Sequence, residues 1–314
     1  MRQPKKTMTY AEVNLLAQEF GFSKAYCLGL APLAQTWNAL CRERPPHTNG
    51  LSLYPAEAYS WASSIVLLLR AYQPFPPVAG LPGYYFASNA GYHAANALCK
   101  SLNAKEFRAQ HIEVPLPALV VQANMGTLCK NAMLDIDGFG TRTALFTIVT
   151  DACTPQTELP LPPPSCGGCS MCADACPVQA IDPCLGLNSS LCLRAHMENA
   201  PMPKAVMEHI PGLLGCELCQ YACPRNLPIG FRQPTEAESA ALDIASILRG
   251  NTAPARDLVG KNMCGGGRLL AQAAVLAGKN NRTDLIEDVR ALLDHPKQNV
   301  GSAAQWAIRK LTNS

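Results

Sequence analysis

Seven cysteines in one stretch of the chain constrain its fold more than any other feature. The stretch opens with CGGCSMCADACP and closes with CELCQYACP, so a triple C-x-x-C run is followed by a double one, and each run ends in Cys-Pro. In such a run three thiolates surround one [4Fe-4S] cube, while the cysteine before the proline ligates the other cluster. The spacing therefore predicts two [4Fe-4S] clusters with crossed ligation. The cysteines are Cys166, Cys169, Cys172, Cys176, Cys216, Cys219 and Cys223.

Crossed ligation leaves one corner of the second cluster without a ligand. Two cysteines between the runs, Cys184 and Cys192, are candidates for it. Cys184 follows Pro183 in a tight turn close to Cys176, from where reaching round the cube is harder, which favours Cys192. The predicted ligands are Cys166, Cys169, Cys172 and Cys223 for the first cluster, and Cys176, Cys192, Cys216 and Cys219 for the second.

A zinc ribbon is the alternative interpretation, because paired C-x-x-C spacing is also typical of zinc sites. Zinc sites lack the triple run and the two Cys-Pro endings, which favours iron and sulfide. The whole chain has 15 cysteines, and seven of them stand at cluster spacing, which argues against a disulfide framework. This usage predicts a reducing, cytoplasmic location.

Charge and hydropathy narrow the possible functions. A formal net charge of +3 argues against a general nucleic-acid binder with a strongly basic face. The first residues, MRQPKKTMTYAEVN, are basic but lack the apolar segment of a secretory leader. Because no apolar run reaches the roughly 18 residues that a membrane helix needs, no membrane partner is expected.

The sequence before the cysteines predicts an α/β domain over residues 1–158. Thr9 and Glu12 form a capping box that begins a helix, and SIVLLLRAY from Ser64 is the kind of apolar run found in central parallel strands. A further helix is predicted over 88–102 and a strand over 143–151. The proline-rich segment TPQTELPLPPPS (154–165) reads as a linker.

Two further domains follow, a bacterial-ferredoxin-like double-cluster domain over 159–230 and a helical region over 231–314. In the helical region, amphipathic segments at 268–278, 284–295 and 302–311 are joined by turns, and Asp284 with Glu287 predicts a second capping box. Helices in this order indicate a short HEAT-like segment.

Several stretches together resemble the epoxyqueuosine reductase family, which is related to reductive dehalogenases. They include SIVLLLRAYQPFPP, YYFASNAGYHAANAL, CKNAML, GFGTRTALFTIVTD and the double-cluster run, in the family's order. The resemblance implies an α/β corrinoid-binding-type domain that holds base-off cobalamin, reduced by the clusters. It also implies an external ferredoxin or flavodoxin as electron donor, and tRNA as a partner.

The resemblance and side-chain chemistry together suggest residues for cobalamin. A lysine supplies a point charge for phosphate, an asparagine both donates and accepts, and glycine turns let backbone approach a ligand. A loop salt bridge and an ordinary turn before a strand are the structural alternatives. The candidates are Lys130, Asn131, Gly138, Gly140, Thr141 and Arg142.

Tyr92 and His93 are candidate proton donors, although they could equally cap and pack the start of a helix. The family has an acidic residue before its Gly-Lys-Asn segment as a proposed proton donor, followed by a Glu-Arg pair. Here the stretch is shorter and only Glu113 stands loosely in place, while Cys129 replaces the glycine. Cys129 is either a metal ligand or a buried thiol.

These departures predict that the corrinoid fold is retained, and they leave the substrate open. The main hypothesis is a corrinoid-dependent reductase, with epoxyqueuosine in tRNA as the substrate the family implies. The alternative is a non-catalytic electron-transfer or corrinoid-handling protein that reduces a partner. The remaining cysteines lack ligand spacing and are predicted to be buried thiols: Cys27, Cys41, Cys99, Cys153 and Cys264.

Overall fold

A computed structural model describes residues 7–41, 49–136 and 138–312 of the chain. They form two compact units rather than three consecutive domains. The first unit takes in Met1–Tyr72, Ala90–Cys129 and Met133–Gly167, and the second takes in Gln73–Asn89, Lys130–Ala132 and Gly168–Ser314. Two segments that precede the cysteines in sequence therefore belong to the unit that contains most of them.

The first unit is built on a four-stranded sheet of order β1-β2-β6-β3. The strands in chain order are β1 Lys24–Leu28, β2 Ser64–Ala71, β3 Ala109–Ile112, β4 Gly126–Leu128, β5 Leu134–Ile136 and β6 Thr143–Thr150. The helices before the cysteine runs are α1 Tyr10–Glu19, α2 Ala34–Cys41, α3 Pro55–Ala58, α4 Gly83–Ala104 and α5 Leu116–Gln122. The 3-10 turn Pro77–Ala79 and the start of α4 belong to the second unit.

Every neighbouring pair in the four-stranded sheet is antiparallel, so the predicted parallel arrangement around β2 is wrong. The apolar run was correctly linked to burial, because Ile65–Leu69 are fully buried on both faces of β2. Such a run reports that both faces are covered and carries no information on strand direction. The chain reaches edge strand β3 first, and β6 then returns between β2 and β3.

Local signals explain where α1 begins. The Thr9 hydroxyl accepts a hydrogen bond from the Glu12 amide at 3.3 Å, and the Glu12 carboxylate accepts one from the Thr9 amide at 2.7 Å. The predicted capping box is therefore present. α4 begins at Gly83, which is earlier than the predicted start at residue 88.

The regular secondary structure of the second unit is helical, apart from the hairpin of β7 Ile181–Asp182 and β8 Gly186–Leu187. Its helices are α6 Met171–Asp174, α7 Leu193–His196, α8 Lys204–His209, α9 Leu218–Tyr221, α10 Glu236–Ala241, α11 Ile244–Leu248, α12 Ala253–Val259, α13 Lys261–Cys264, α14 Arg268–Lys279, α15 Ile286–Arg290 and α16 Gln298–Thr312. Pro224–Ile229, Gly265–Gly267 and Thr283–Leu285 are 3-10 turns.

Gln272 on α14 explains why the cysteine-rich segment and the terminal helices form one unit. Its side chain is fully buried, accepts a hydrogen bond from the Leu214 amide at 2.6 Å and donates one to the Met197 carbonyl at 3.2 Å. Met197, Leu214 and the buried face of α14 also share one apolar core. The predicted boundary after residue 230 therefore falls within a continuously packed unit.

The second predicted capping box is absent from the described structure. α15 begins after Leu285 without a side-chain cap, because the Asp284 carboxylate pairs instead with the Arg282 guanidinium at 2.7 Å.

Gly278 allows α14 and α16 to approach closely, and this leads to a stability prediction. A Cβ atom at this position would lie 2.6 Å from the Ala307 Cα atom, a contact that requires backbone movement. We expect Gly278→Ala to lower the free energy of unfolding by about 1–3 kcal/mol, measured by urea denaturation. Gly265→Ala is the control, because a Cβ there meets nothing within 4 Å. Equal effects of the two changes would contradict the close-packing argument.

Candidate iron–sulfur and proton-donor sites

From Cys169 onward, the first cysteine run forms a short loop and helix in the second unit. Cys172 lies on α6. At the start of this helix, the Ser170 carbonyl accepts hydrogen bonds from the Ala173 and Asp174 amides. Cys176 follows this helix, and its sulfur accepts a hydrogen bond from the Ala180 amide at 3.2 Å. Backbone donors of this kind stabilise thiolates that bind a cluster.

The second run repeats this local structure. Cys219 lies on α9, Cys216 immediately precedes that helix, and Cys223 follows it as a buried residue. Each run thus places one cysteine in a single helical turn and another just before a proline. Cys166 lies at the end of the first unit, two residues before the last segment of the second unit begins at Gly168, and its role in the first cluster stays a prediction from spacing.

Four thiols of the predicted second cluster lie close enough to influence one another. Burial raises the pKa of Cys216 to about 11, and the neighbouring Cys192 and Cys176 raise it further. Burial likewise raises the pKa of Cys219 to about 12, with Cys216, Cys192 and Cys172 adding to the effect. Crowded, desolvated thiols disfavour the charged form, so iron that binds them must displace protons.

Cys192 and Cys184 occupy different environments. Cys192 immediately precedes α7 and lies within electrostatic reach of Cys216 and Cys219. Cys184 is exposed in the turn between β7 and β8, where its amide donates to Asp182 Oδ1 at 2.7 Å. The geometry supports Cys192 as the eighth ligand, and the assignment stays a prediction.

Lys130 and Asn131 lie with the cluster segment in the second unit. Lys130 Nζ donates to the backbone carbonyl of Cys169 at 2.8 Å. The Asn131 side chain is 2% exposed, and its interaction with the Cys219 thiol lowers the pKa of that group against the effect of burial. Both residues were predicted to contact cobalamin, a role that stays untested; the structure instead gives them contacts to two predicted cluster ligands.

In the first unit, a group of rings joins Tyr92 and His93 on α4 to His111 on β3. The Tyr92 ring centroid lies 5.6 Å from that of His93 and 5.4 Å from that of His111. His111 also contacts Phe146, whose ring occupies space that a side chain at Gly91 would fill. Tyr92 and His93 are in the middle of α4, so they do not cap a helix start.

His111 is a residue that sequence reasoning missed. Burial lowers its pKa, and the carboxylate of Glu113 opposes that shift. Because side chains alternate across a strand, His111 and Glu113 are expected on one face, and this period of two could have pointed to the pair. Of the three predicted proton donors, Tyr92 therefore contacts His111 directly, Glu113 acts on it electrostatically, and His93 contacts Tyr92.

The glycine turn predicted to contact cobalamin has mixed exposure. Gly138 has φ +75°, and a Cβ there would meet no atom of the described residues beyond its chain neighbours within 4 Å. Gly140 also has a positive φ, of +59°. Thr141 and Arg142 are buried, and the Arg142 guanidinium lies 5.9 Å from the centroid of the Tyr72 ring.

The remaining cysteines are mostly buried. Cys129, Cys27, Cys99 and Cys153 are buried, and Cys27 and Cys153 are in direct contact beside Ser64. Cys41 and Cys264 are only partly buried, so these two cysteines are more exposed than the predicted buried thiols. Among the described residues, no three His, Cys, Asp or Glu side chains converge closely enough to hold a single metal ion.

Comparison with known families defines the class of the cysteine-rich segment. Residues 165–226 match the family model of the 4Fe-4S double cluster binding domain. The match confirms the prediction of two [4Fe-4S] clusters and identifies residues 165–226 as an iron–sulfur domain of the double-cluster type. The crossed ligand set is not tested by it.

Similar proteins then indicate the particular family. Epoxyqueuosine reductase of Synechocystis is 35% identical over 119 residues, which cover 37% of this chain and 40% of that protein. The enzyme of Lactococcus garvieae is 26% identical over 210 residues, 62% of this chain and 58% of that one. The matches confirm the resemblance to epoxyqueuosine reductases, and this chain spans about half the length of these curated relatives.

Solved structures extend the likeness in fold to nearly the whole chain. An epoxyqueuosine reductase determined with an epoxyqueuosine-modified tRNA-Tyr stem loop superposes with a TM-score of 0.73 at 20% identity. The match covers 96% of this chain and 89% of that chain. At this identity the likeness concerns the fold alone. Separately, the described helices include none that is both long and apolar enough to cross a membrane.

Proposed function

We propose that this protein is an iron–sulfur reductase resembling epoxyqueuosine reductase, in which two [4Fe-4S] clusters supply electrons to a base-off corrinoid that reduces a bound substrate. The observation that carries the proposal is the combination of a double-cluster segment with an epoxyqueuosine reductase fold over 96% of the chain. An external ferredoxin or flavodoxin is the proposed electron donor. The first unit is assigned to the corrinoid-binding type. The helices from α14 through α16 are assigned to a HEAT-like pair.

The open backbone at Gly138 supports a corrinoid in the first unit. Its left-handed φ and the lack of a side chain allow a ligand to approach the main chain closely. Gly138 and Gly140 would supply this approach, and Thr141 and Arg142 would support the turn from inside the unit. A corrinoid held there would supply low-potential, two-electron chemistry at cobalt.

The chain's own contribution to proton transfer is assigned to the group around His111. Reduction of a carbon–oxygen or similar bond consumes protons, and a carboxyl, phenol or imidazole positioned nearby can deliver them. Burial keeps the pKa of His111 below its ordinary value, so at neutral pH its imidazole is uncharged. We assign Glu113 as the proton donor, an exposed carboxylate that takes up a proton from solvent before delivering it, with His111, Tyr92 and His93 positioning it or relaying protons.

Retention of cobalamin tests the reductase against the alternative of an electron relay. Protein purified anaerobically and reconstituted with iron and sulfide is expected to hold about eight irons per chain. It should also retain added cobalamin through gel filtration, with a visible spectrum that changes on adding a strong reductant. Full iron content with no retained cobalamin would contradict the reductase and favour a relay to another protein.

The substrate is tested separately. A tRNA substrate is supported by the likeness in fold to a reductase determined with a modified tRNA stem loop. We expect epoxyqueuosine-modified stem loop to be converted to queuosine by the reduced, cobalamin-loaded protein. A protein that binds cobalamin but leaves the modified stem loop unchanged would point to a different substrate on the same machinery.

A further inference from the structure

The segment Lys130–Ala132 is separated in sequence from the cysteine runs but belongs to the same compact unit. Its Lys130 carbonyl lies against Gly186 in the β7–β8 hairpin. Ala132 adopts φ +61°, which is costly for a residue with a Cβ atom. Such backbone strain persists where the surroundings hold a residue in place, and it concentrates at functional sites.

Each of the first two residues of the segment contacts a different predicted cluster ligand. Lys130 Nζ lies 2.8 Å from the carbonyl oxygen of Cys169, in the loop of the first cluster. The nearly fully buried Asn131 side chain meets Cys219, a predicted ligand of the second cluster. One three-residue segment therefore reaches both cluster loops.

We propose that Lys130 and Asn131 raise the reduction potentials of the two [4Fe-4S] clusters, Lys130 acting on the first and Asn131 on the second. This inference rests on the proposed function insofar as it requires both clusters to be bound. Adding an electron makes a cluster more negative, so a nearby ammonium stabilises the reduced form more than the oxidised form. A hydrogen bond donated to a ligand sulfur has the same sign of effect.

The two residues are thus positioning and tuning residues for electron entry. The midpoint potential of each cluster tests this role without any substrate. It is measured by an anaerobic redox titration that is monitored by EPR. We expect Lys130→Met to move one midpoint to a more negative value, because the charge is lost while the length is kept. Asn131→Leu should move the other midpoint in the same direction, because the donor is lost at similar volume.

Conservative and remote variants serve as controls. Lys130→Arg retains the charge and should preserve the wild-type midpoint. Lys261→Met and Asn262→Leu remove the same groups from exposed positions on α13 and should leave both midpoints unchanged.

Iron and sulfide analysis separates the possible failures. If Lys130→Met and Asn131→Leu each retain about eight irons per chain with unchanged midpoints, the tuning role is wrong and the cluster assignment stands. If the wild-type protein itself does not assemble two clusters, the proposed function fails first. If a variant loses iron, the milder variant Lys130→Gln or Asn131→Ser is titrated in its place. An unchanged midpoint potential in that milder variant again overturns the inference.

Discussion

Cys192→Ser is expected to lower the iron content from about eight toward about four irons per chain, with loss of the EPR signal of one reduced cluster. The change removes one corner ligand and offers a hydroxyl, whose oxygen is a far poorer ligand for this iron than a thiolate. Cys192 lies within electrostatic reach of both Cys216 and Cys219, which places it among the predicted ligands of the second cluster. Iron, sulfide and EPR quantification on anaerobic protein measure the effect.

Cys184→Ser is the matched control for this prediction. Cys184 is exposed, and its turn is held by Asp182, whose carboxylate accepts hydrogen bonds from the Cys184 and Leu185 amides. Its replacement should leave the iron content and both EPR signals intact. The opposite pattern, with iron lost from Cys184→Ser and kept in Cys192→Ser, would reverse the ligand assignment.

The cluster segment could be predicted in detail from sequence because its information is local. A thiolate cube imposes fixed short spacings, and these remain readable in the printed sequence without knowledge of the rest of the fold. The choice between Cys184 and Cys192 was harder, because it depends on where a hairpin and a short helix point. The structure supports the choice by placing the partly buried Cys192 within electrostatic reach of Cys216 and Cys219 and exposing Cys184.

Strand direction and the partners of Lys130 could not be read in the same way. An apolar run such as Ile65–Leu69 reports burial, while its direction depends on connections made far along the chain. Lys130 and Asn131 stand between elements of the first unit in sequence, yet they pack with the cluster loops. Only a three-dimensional structure brings such distant segments together, which is why their sequence-based role differed from their contacts.

Glu113→Gln is expected to reduce turnover of the proposed substrate by roughly 100- to 10,000-fold, the usual range for losing a general acid. The amide keeps the size of the side chain but cannot deliver a proton. The same change should lower the pKa of His111 further, because the carboxylate of Glu113 raises that pKa against the effect of burial. Turnover is measured on the reduced, cobalamin-loaded protein, and the pKa of His111 by NMR titration.

Glu158→Gln provides the control, since Glu158 is exposed in the proline-rich segment before the cysteines. It should change neither turnover nor the titration of His111. If Glu113→Gln lowers the pKa of His111 but leaves turnover unaltered, the electrostatic interaction between Glu113 and His111 is supported. The role of Glu113 as proton donor is then contradicted. His111 contacts the Tyr92 ring and also interacts electrostatically with Glu113. The Tyr92 phenol would therefore be the next candidate acid, tested by Tyr92→Phe. A fall in both turnover and iron content would instead indicate a general structural defect, since Glu113 has no assigned role in cluster binding.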